Sequence, residues 1–410
     1  MIPRRMIATA ALLLAAATGL PAHAADLPPA AQAALERLLD NARATHSDAV
    51  LVLHDGKPIG DYRRDGAPAG PIELMSATKS VVALGIGQLL GDGRIRSLDQ
   101  PVADFYPEWK QGRKAGVTVR MLLDHTSGLQ NVPMASKEIH PAPDAIQLAL
   151  AAELDSAPGE AFSYNNKAVN LLAGIIDRAS GQPMDAFFRD GLFKAMGIHP
   201  GPWDKDATGH PYAMSGLPLD AADAARIGQL VLDRGQWQGR QLVPADYIDT
   251  MLAAGPKHPG CGLLWWRRTA WTKIRVADDA ADRMLDKGVA ESIAAKFEPL
   301  QGDTFDSEAA FLEAISSAFG PSAAEAWNLE VKPKISPRAF MDSQDGPVVA
   351  FEAEGYLGQY IEVVPGARLV AVRQVADSDD YRPEWGYATF RDDVIALAEA
   401  LEPTLAESRP

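Results

Sequence analysis

The stretch Glu73-Leu-Met-Ser76-Ala-Thr-Lys79-Ser-Val-Val-Ala-Leu-Gly-Ile-Gly-Gln-Leu-Leu90 is the most apolar helix-like run in the chain. Val81, Val82, Leu84, Ile86, Leu89 and Leu90 fall on nearly every side of its helical projection, which predicts a buried central helix. Gly91-Asp-Gly93 supplies the stop, and a helix with Gly85 and Gly87 inside it makes no phosphate-binding loop. Ser76 opens the run and Lys79 follows one turn later, so the two side chains share a face. A serine hydroxyl is a poor nucleophile until a neighbour takes its proton, and an amine held close can do that. The helix N-terminus adds N–H groups and positive partial charge where the hydroxyl would ionise. Spacing alone is a weak signal: with 19 Ser and 14 Lys in 410 residues, roughly one Ser-x-x-Lys is expected by chance. An N-capping serine beside a solvated lysine would leave the same trace.

A second element lies 88 residues on, in Pro158-Gly-Glu-Ala-Phe-Ser-Tyr164-Asn-Asn166-Lys. The composition gives an expected count of Tyr-x-Asn of only about 0.1, so this match carries more weight. Pro-Gly and Asn-Asn mark a loop, and the apolar run Ala168–Ile176 after it reads as a helix. A loop at a helix start can project a phenol and an amide into a cleft. The alternative is an Asn-rich turn with a half-buried tyrosine.

Together these motifs resemble the serine β-lactamase and penicillin-binding-protein-like superfamily, in particular its class C branch with related esterases, D-aminopeptidases and 6-aminohexanoate-dimer hydrolases. The segments Leu98–Trp109, Val117–Leu129, Asp220–Leu232 and Gly262–Trp266 are similar to family segments, and coverage runs from about 45 to 268 and from about 346 onward. The resemblance implies an acyl-enzyme on Ser76, with Lys79 and Tyr164 moving the proton and Asn166 donating to Lys79 or substrate. It implies an oxyanion hole from the N–H groups of Ser76 and Tyr356, the residue after Gly355. The family's third motif carries Lys or His two residues before that glycine, whereas this chain has Ala353-Glu354-Gly355-Tyr356. The missing cation commonly holds a substrate carboxylate by a charge-assisted bond, so anionic lactams and D-Ala termini should bind less well here. Glu354 reads as a solvated strand charge, with a cleft-facing role that attracts cations as the alternative.

Residues 1–24 carry Arg4 and Arg5, an apolar stretch through Leu14 and the small-residue site Ala22-His-Ala24, the pattern of a cleaved secretory signal peptide. Secreted or periplasmic localisation is therefore expected. Cleavage would take two positive charges and move the formal net charge from −15 to −17. No later run approaches the roughly 18 apolar residues of a membrane span. An acidic chain without basic runs argues against nucleic acid or anionic membrane as partner. The single Cys261 excludes an internal disulfide and reads as a buried small apolar residue between Gly260 and Gly262.

The remaining pattern predicts an α/β chain of the β-lactamase/transpeptidase-like class, an antiparallel sheet flanked by helices, built from both chain ends, plus an inserted all-helical domain. Expected boundaries are 25–105 with 258–410 for the sandwich and 106–257 for the helical domain. Pro29–Ala44 reads as a helix, Ala49–Leu53 and Lys57–Ile59 as a hairpin around Asp55-Gly56, and Gly262–Trp266, Val348–Phe351, Gln359–Val364 and Arg368–Arg373 as strands. A helix from about Phe390 to Leu401 closes the domain. Residues 268–345 are longer than the family's usual connection and include a helical run at Ser307–Phe319; a lid beside the cleft and a remote decoration are both open.

Other chemistries fare worse. His125-Thr-Ser-Gly128 invites a Ser–His reading, but no Gly-x-Ser-x-Gly elbow occurs, and His125 reads as structural where a helix ends. The eight His are scattered without His-Glu-x-x-His, so no metal and no cofactor are expected. Trp265-Trp266 reads as strand packing, with one ring at the cleft as the alternative. Three functions remain: a carboxylesterase or amidase acting on a small ester, amide or peptide; a β-lactamase or D-alanyl-D-alanine peptidase; and a non-catalytic binding protein of the same fold. Sequence leaves the oligomeric state open.

Overall fold

The computed structural model describes residues 27–408 apart from 133, 321–325, 332–333, 383–385 and 388. The expected signal peptide lies outside the described residues. Six strands form the main sheet: β1 (Ala49–His54), β2 (Lys57–Arg63), β3 (Trp266–Thr269), β4 (Val348–Gly355), β5 (Gln359–Val364) and β6 (Leu369–Gln374). Their order is β2-β1-β6-β5-β4-β3, and every neighbouring pair is antiparallel. The first and last segments of the chain thus meet at the centre, where Val52 faces Ala371 across the β1–β6 ladder. Asp55 and Gly56 both have positive φ, the geometry that closes a tight hairpin between β1 and β2.

Both faces of this sheet are covered, and that explains its sequence pattern. Helices α1 (Pro29–Ala44) and α5 (Phe390–Leu401) pack together on one face, while α2 (Thr78–Gly91) and α4 (Ala221–Leu232) lie on the other. Strand residues alternate between the two cores: Val370 and Val372 enter the α2/α4 side, and Leu369 and Ala371 enter the α1/α5 side. With neither face wet, β6 opens on the continuous apolar run Leu369-Val-Ala-Val372 instead of an apolar/polar alternation. The predicted ranges of α1 and α5 agree with the observed helices.

The α2 side continues without a break into helices between residues 107 and 257, among them α3 (Asn166–Ser180), so one apolar core joins sheet and helices. Helix α4, within the stretch expected to be helical, packs directly on β1, β5 and β6. One strand differs from expectation. Gly262–Trp265 is not strand; β3 begins at Trp266. Leu264 takes a left-handed φ of 59°, its N–H donates to the Leu123 carbonyl, and its own carbonyl accepts from Ser80 Oγ at 2.5 Å. The backbone is tied to the helical region there, not to a sheet neighbour.

The extra segment between β3 and β4 is a folded unit. Strands Thr272–Val276, Thr304–Phe305 and Met341–Asp345 make a three-stranded sheet, with Thr272–Val276 in the middle. Its own core includes Phe297, Phe311, Trp327 and Phe340. The helical run is helix Glu308–Phe319, N-capped by Ser307 Oγ, which accepts from the Ala310 N–H at 3.1 Å. Chain exit and return lie side by side, since Ala270 N–H donates to Pro347 O and Gly346 N–H to Trp271 O.

Helix α2 is buried nearly all round and has an almost zero amphipathic bias, as its sequence predicts. Its two glycines are sites of close approach: a Cβ at Gly85 would run into the Phe188 ring, and one at Gly87 into the Tyr247 ring and Val243. Gly87→Ala gains about 1 kcal/mol of helix propensity. Overpacking against Tyr247 costs about 1–3 kcal/mol and should win. The expected result is a lower urea midpoint at unchanged m-value, measured by equilibrium denaturation.

Candidate active site

Ser76 does not sit inside α2 but in the single 3-10 turn Met75–Ala77 that leads into it. Met75 before it has φ 49°, a left-handed conformation that a side-chain-bearing residue rarely adopts, so the turn is strained next to the candidate nucleophile. Lys79 lies in the first turn of α2, where it is 3% exposed. Its Nζ donates to Ser76 Oγ at 2.8 Å and to the Met214 carbonyl at 2.6 Å. Burial, with no acidic partner, drops the Lys79 amine to about 7. At neutral pH a substantial fraction is therefore the free base.

The loop that supplies Met214 O is strapped to the opening stretch. Gly216 N–H donates to Glu73 Oε1 at 2.9 Å, Leu217 N–H to Thr78 Oγ1 at 3.3 Å, and Leu74 N–H to the Leu217 carbonyl at 2.9 Å. Met214 N–H donates to Asn170 Oδ1, on α3, at 3.1 Å. Residues Glu73, Thr78, Asn170 and Met214 were not singled out in the sequence. Their only signal was proximity of Glu73 and Thr78 to Ser76; nothing marked a carbonyl 135 residues away.

Tyr164 reaches the same place from the helical side. Its ring lies 5.1 Å from Lys79 Nζ, and burial pushes its phenol up to about 12, against a smaller opposing effect of a hydrogen bond with Ser76. Asn165 caps α3 by accepting from the Ala168 N–H at 2.9 Å, while its Nδ2 donates to Leu129 O at 2.8 Å. Asn166 is the first residue of α3, and its buried Oδ1 has no hydrogen-bond partner. Of the two partners expected for Asn166, Lys79 or substrate, Lys79 is not bonded to it here; the second Lys79 contact is instead the Met214 carbonyl, which accepts from Nζ.

A pocket opens at these groups, lined by Ser76, Lys79, Ser80, His125, Tyr164, Cys261, Leu264, Trp266 and Glu354. None of these nine belongs to the inserted unit. Trp265 and Trp266 divide the two readings between them. Trp265 is buried with Nε1 donating to Ser80 O at 3.0 Å, whereas Trp266 lines the pocket, stacked on Tyr164 at 6.1 Å. His125 does end a helix, with φ 58°, but it is also a pocket wall, which the structural reading left out. Its Nδ1 accepts from the Asn165 N–H at 3.2 Å, so the proton of the neutral ring sits on Nε2. Burial, then Lys79 and His258, hold it down at about 3, which keeps the ring uncharged. Cys261 is buried as expected, and burial pushes its thiol up to about 12.

Strand β4 closes the opposite wall. Gly355 runs so close to the Ser76 turn that a Cβ there would overlap the Leu74 carbonyl oxygen and touch the Met75 side chain. Tyr356, next in the chain, is 69% exposed. The turn Tyr356–Gly358 is clamped from behind by buried Arg373, whose Nη1 donates to Gly358 O at 2.7 Å and Leu357 O at 3.1 Å. Ala353 is fully buried on the α2 side. Glu354 is no solvated strand charge: it lines the pocket, and its Oε2 accepts from Arg268 Nη2 at 2.7 Å.

With this arrangement in view, the beta-lactamase family profile matches residues 31–388. The chain belongs to the beta-lactamase family. It is 28% identical over 238 residues to the 6-aminohexanoate-dimer hydrolase of Paenarthrobacter ureafaciens, covering 52% of this chain and 59% of that one. It is 29% identical over 135 residues to esterase EstB of Burkholderia gladioli, covering 28% of this chain and 33% of that one. The chain thus spans less than two thirds of the length of these curated relatives. Among solved structures, a penicillin-binding protein homolog from Caulobacter crescentus superposes at a TM-score of 0.55 with 18% identity, covering 92% of this chain and 98% of that one. That likeness establishes the fold of the family for this chain.

Lys79 carries a stability signature that can be measured. Unfolded, it holds its proton up to the ordinary 10.5; folded, it releases it near 7. Between these values the unfolded state binds more protons, so Lys79 makes stability rise with pH from about 7 to about 10.5. Urea midpoints of wild type should rise relative to Lys79→Met between pH 6.5 and 9.5; parallel curves would rule this out.

Proposed function

We propose that this protein is a serine hydrolase that turns over small esters or amides through an acyl-enzyme on Ser76. The observation that carries the proposal is the Lys79 amine, 2.8 Å from Ser76 Oγ and held near 7 by burial. The two proton-handling groups have separate roles because their affinities differ. At neutral pH an amine near 7 is available as a base, while a phenol near 12 is almost wholly protonated. Lys79 therefore takes the Ser76 proton as Oγ bonds to the substrate carbonyl carbon. Tyr164 donates a proton to the leaving group as the carbon–heteroatom bond breaks, and is reprotonated from Lys79. In the second half, water attacks the ester carbonyl, losing its proton to the same pair, and Ser76 leaves as the hydroxyl.

The charge that develops on the carbonyl oxygen is assigned to the N–H groups of Ser76 and Tyr356, which the close approach of Gly355 to the Ser76 turn supports. Asn166, with an unpartnered buried Oδ1 at the start of α3, is assigned to substrate hydrogen bonding. The leading substrate class is ester or neutral amide, since Ala353 is buried and apolar where the family carries a cation. The alternative, a β-lactamase or D-alanyl peptidase, is kept by family membership. We also propose export, on the N-terminal pattern of Arg4, Arg5 and Ala22-His-Ala24.

Ser76→Ala should lose activity on p-nitrophenyl butyrate by a thousandfold or more, on the order seen when a nucleophile is removed. Tyr164→Phe should lose roughly 10²–10⁴-fold. The pH profile of kcat/KM should rise through about pH 7, as Lys79 loses its proton. Full activity of Ser76→Ala, or no labelling of Ser76 by a fluorophosphonate, would overturn the mechanism. Nitrocefin turnover far above ester turnover would move the substrate class to the alternative.

A further inference from the structure

We propose that Glu354 makes this pocket selective for substrates that carry an ammonium group close to the scissile carbonyl, a proposal that rests on the acyl-transfer reading of Ser76. Glu354 is the only acidic residue among the nine that line the pocket. Burial, then the Glu352 charge, push the Glu354 carboxyl above its ordinary value against the pull of Arg268 and Arg391; in its ionised form, with Lys79 as the free base that can accept the Ser76 proton, it is the one formal charge among these nine residues. His125 is kept neutral by burial, and the Tyr164 phenol and Cys261 thiol hold their protons.

The carboxylate is built in, not incidental. Glu354 and Glu352 share the Arg268 guanidinium, and Arg391 lies 3.9 and 4.0 Å from the same two carboxylates. Directly across the ladder from Glu352 stands Glu362, fully buried. Burial, then the neighbouring Glu352 charge, push the Glu362 carboxyl well above the usual range, which favours its neutral form. Burial opposes ionisation of Glu352 too, but Arg268 and Arg391 win and hold it at about 2. The cluster is thus near neutral overall, yet its ends differ. Arg268 is 16% exposed and lies outside the pocket lining, while Glu354 is 35% exposed and faces it. A ligand in the pocket meets the negative end first, and Coulomb attraction favours the nearer charge. A substrate carboxylate at this place meets like charge, the reverse of the anion-holding arrangement that a cation at position 353 would give.

The test compares p-nitrophenyl esters of trimethylammoniobutyrate, of its neutral tert-butyl isostere and of the glutarate half-ester. Wild type is expected to prefer the cationic ester over the neutral one by about tenfold in kcat/KM, with the anionic one slowest. In Glu354→Gln that ratio should collapse to about one. Equal rates on all three esters in wild type, or an unchanged ratio in Glu354→Gln, would overturn the proposal. Calorimetry on Ser76→Ala with trimethylammoniobutyramide against its neutral isostere needs neither turnover nor the Glu354 variant. Preferential binding of the cation supports the site even if no ester is turned over, which would count against the acyl-transfer reading alone; equal binding removes the site whatever the turnover.

Discussion

Everything else at the site depends on one arrangement: an amine kept out of water, with no acid beside it, between a hydroxyl and a carbonyl. Lys79 Nζ contacts Ser76 Oγ and Met214 O inside a wall that leaves it 3% exposed. Removing a cation from water is costly, and the system answers by lowering the affinity for the proton. An adjacent carboxylate would have undone this by holding Lys79 charged. The acids nearest in sequence are used elsewhere, Glu73 being turned to the Gly216 N–H. The base is therefore made by exclusion of water and of countercharge, and the fold has to keep both away.

Helix α2 meets that demand by being buried on all sides. The sheet covers one flank through β4, and the helical region covers the other through α3. Three side chains from the same short stretch, Glu73, Thr78 and Lys79, tie down one distant loop, and Ser80 ties another through Leu264 and Trp265. Strain at Met75 is sustained because strand β4 presses Gly355 against that turn and Arg373 braces the residues that follow. Position and strain are thus distributed over segments far apart in the chain.

The wall at β4 follows different electrostatics. There five titratable groups lie close together, with Arg268 and Arg391 set against Glu352 and Glu354, and with Glu362 pushed toward its neutral form by burial. One pocket therefore combines groups neutral through desolvation on the Ser76 side with a compensated ion cluster on the other.

Much of this was legible in the chain. Helical periodicity marked α1 and α5, and apolar-rich runs marked β1, β5 and β6, because hydrophobic burial on both sheet faces leaves such runs and Asp55-Gly56 demands a tight turn. Ser76, Lys79 and Tyr164 were legible because a helical turn sets the first two on one face and a loop before a helix projects the third. Local sequence failed where distant backbone decides. Gly262–Trp265 has strand residues but is held by Leu123 and Ser80. Nothing near Ser76 in sequence marked the Met214 carbonyl, which accepts from Lys79. Glu354 looked like a solvated charge until Arg268, 86 residues earlier, bonded to it. What sequence determined by itself was which groups can do chemistry and which elements carry them, since propensity and periodicity act over a few residues. Which groups meet, which lose their water and which charges are compensated was decided only by tertiary packing, because desolvation and Coulomb attraction depend on distance in space and not along the chain.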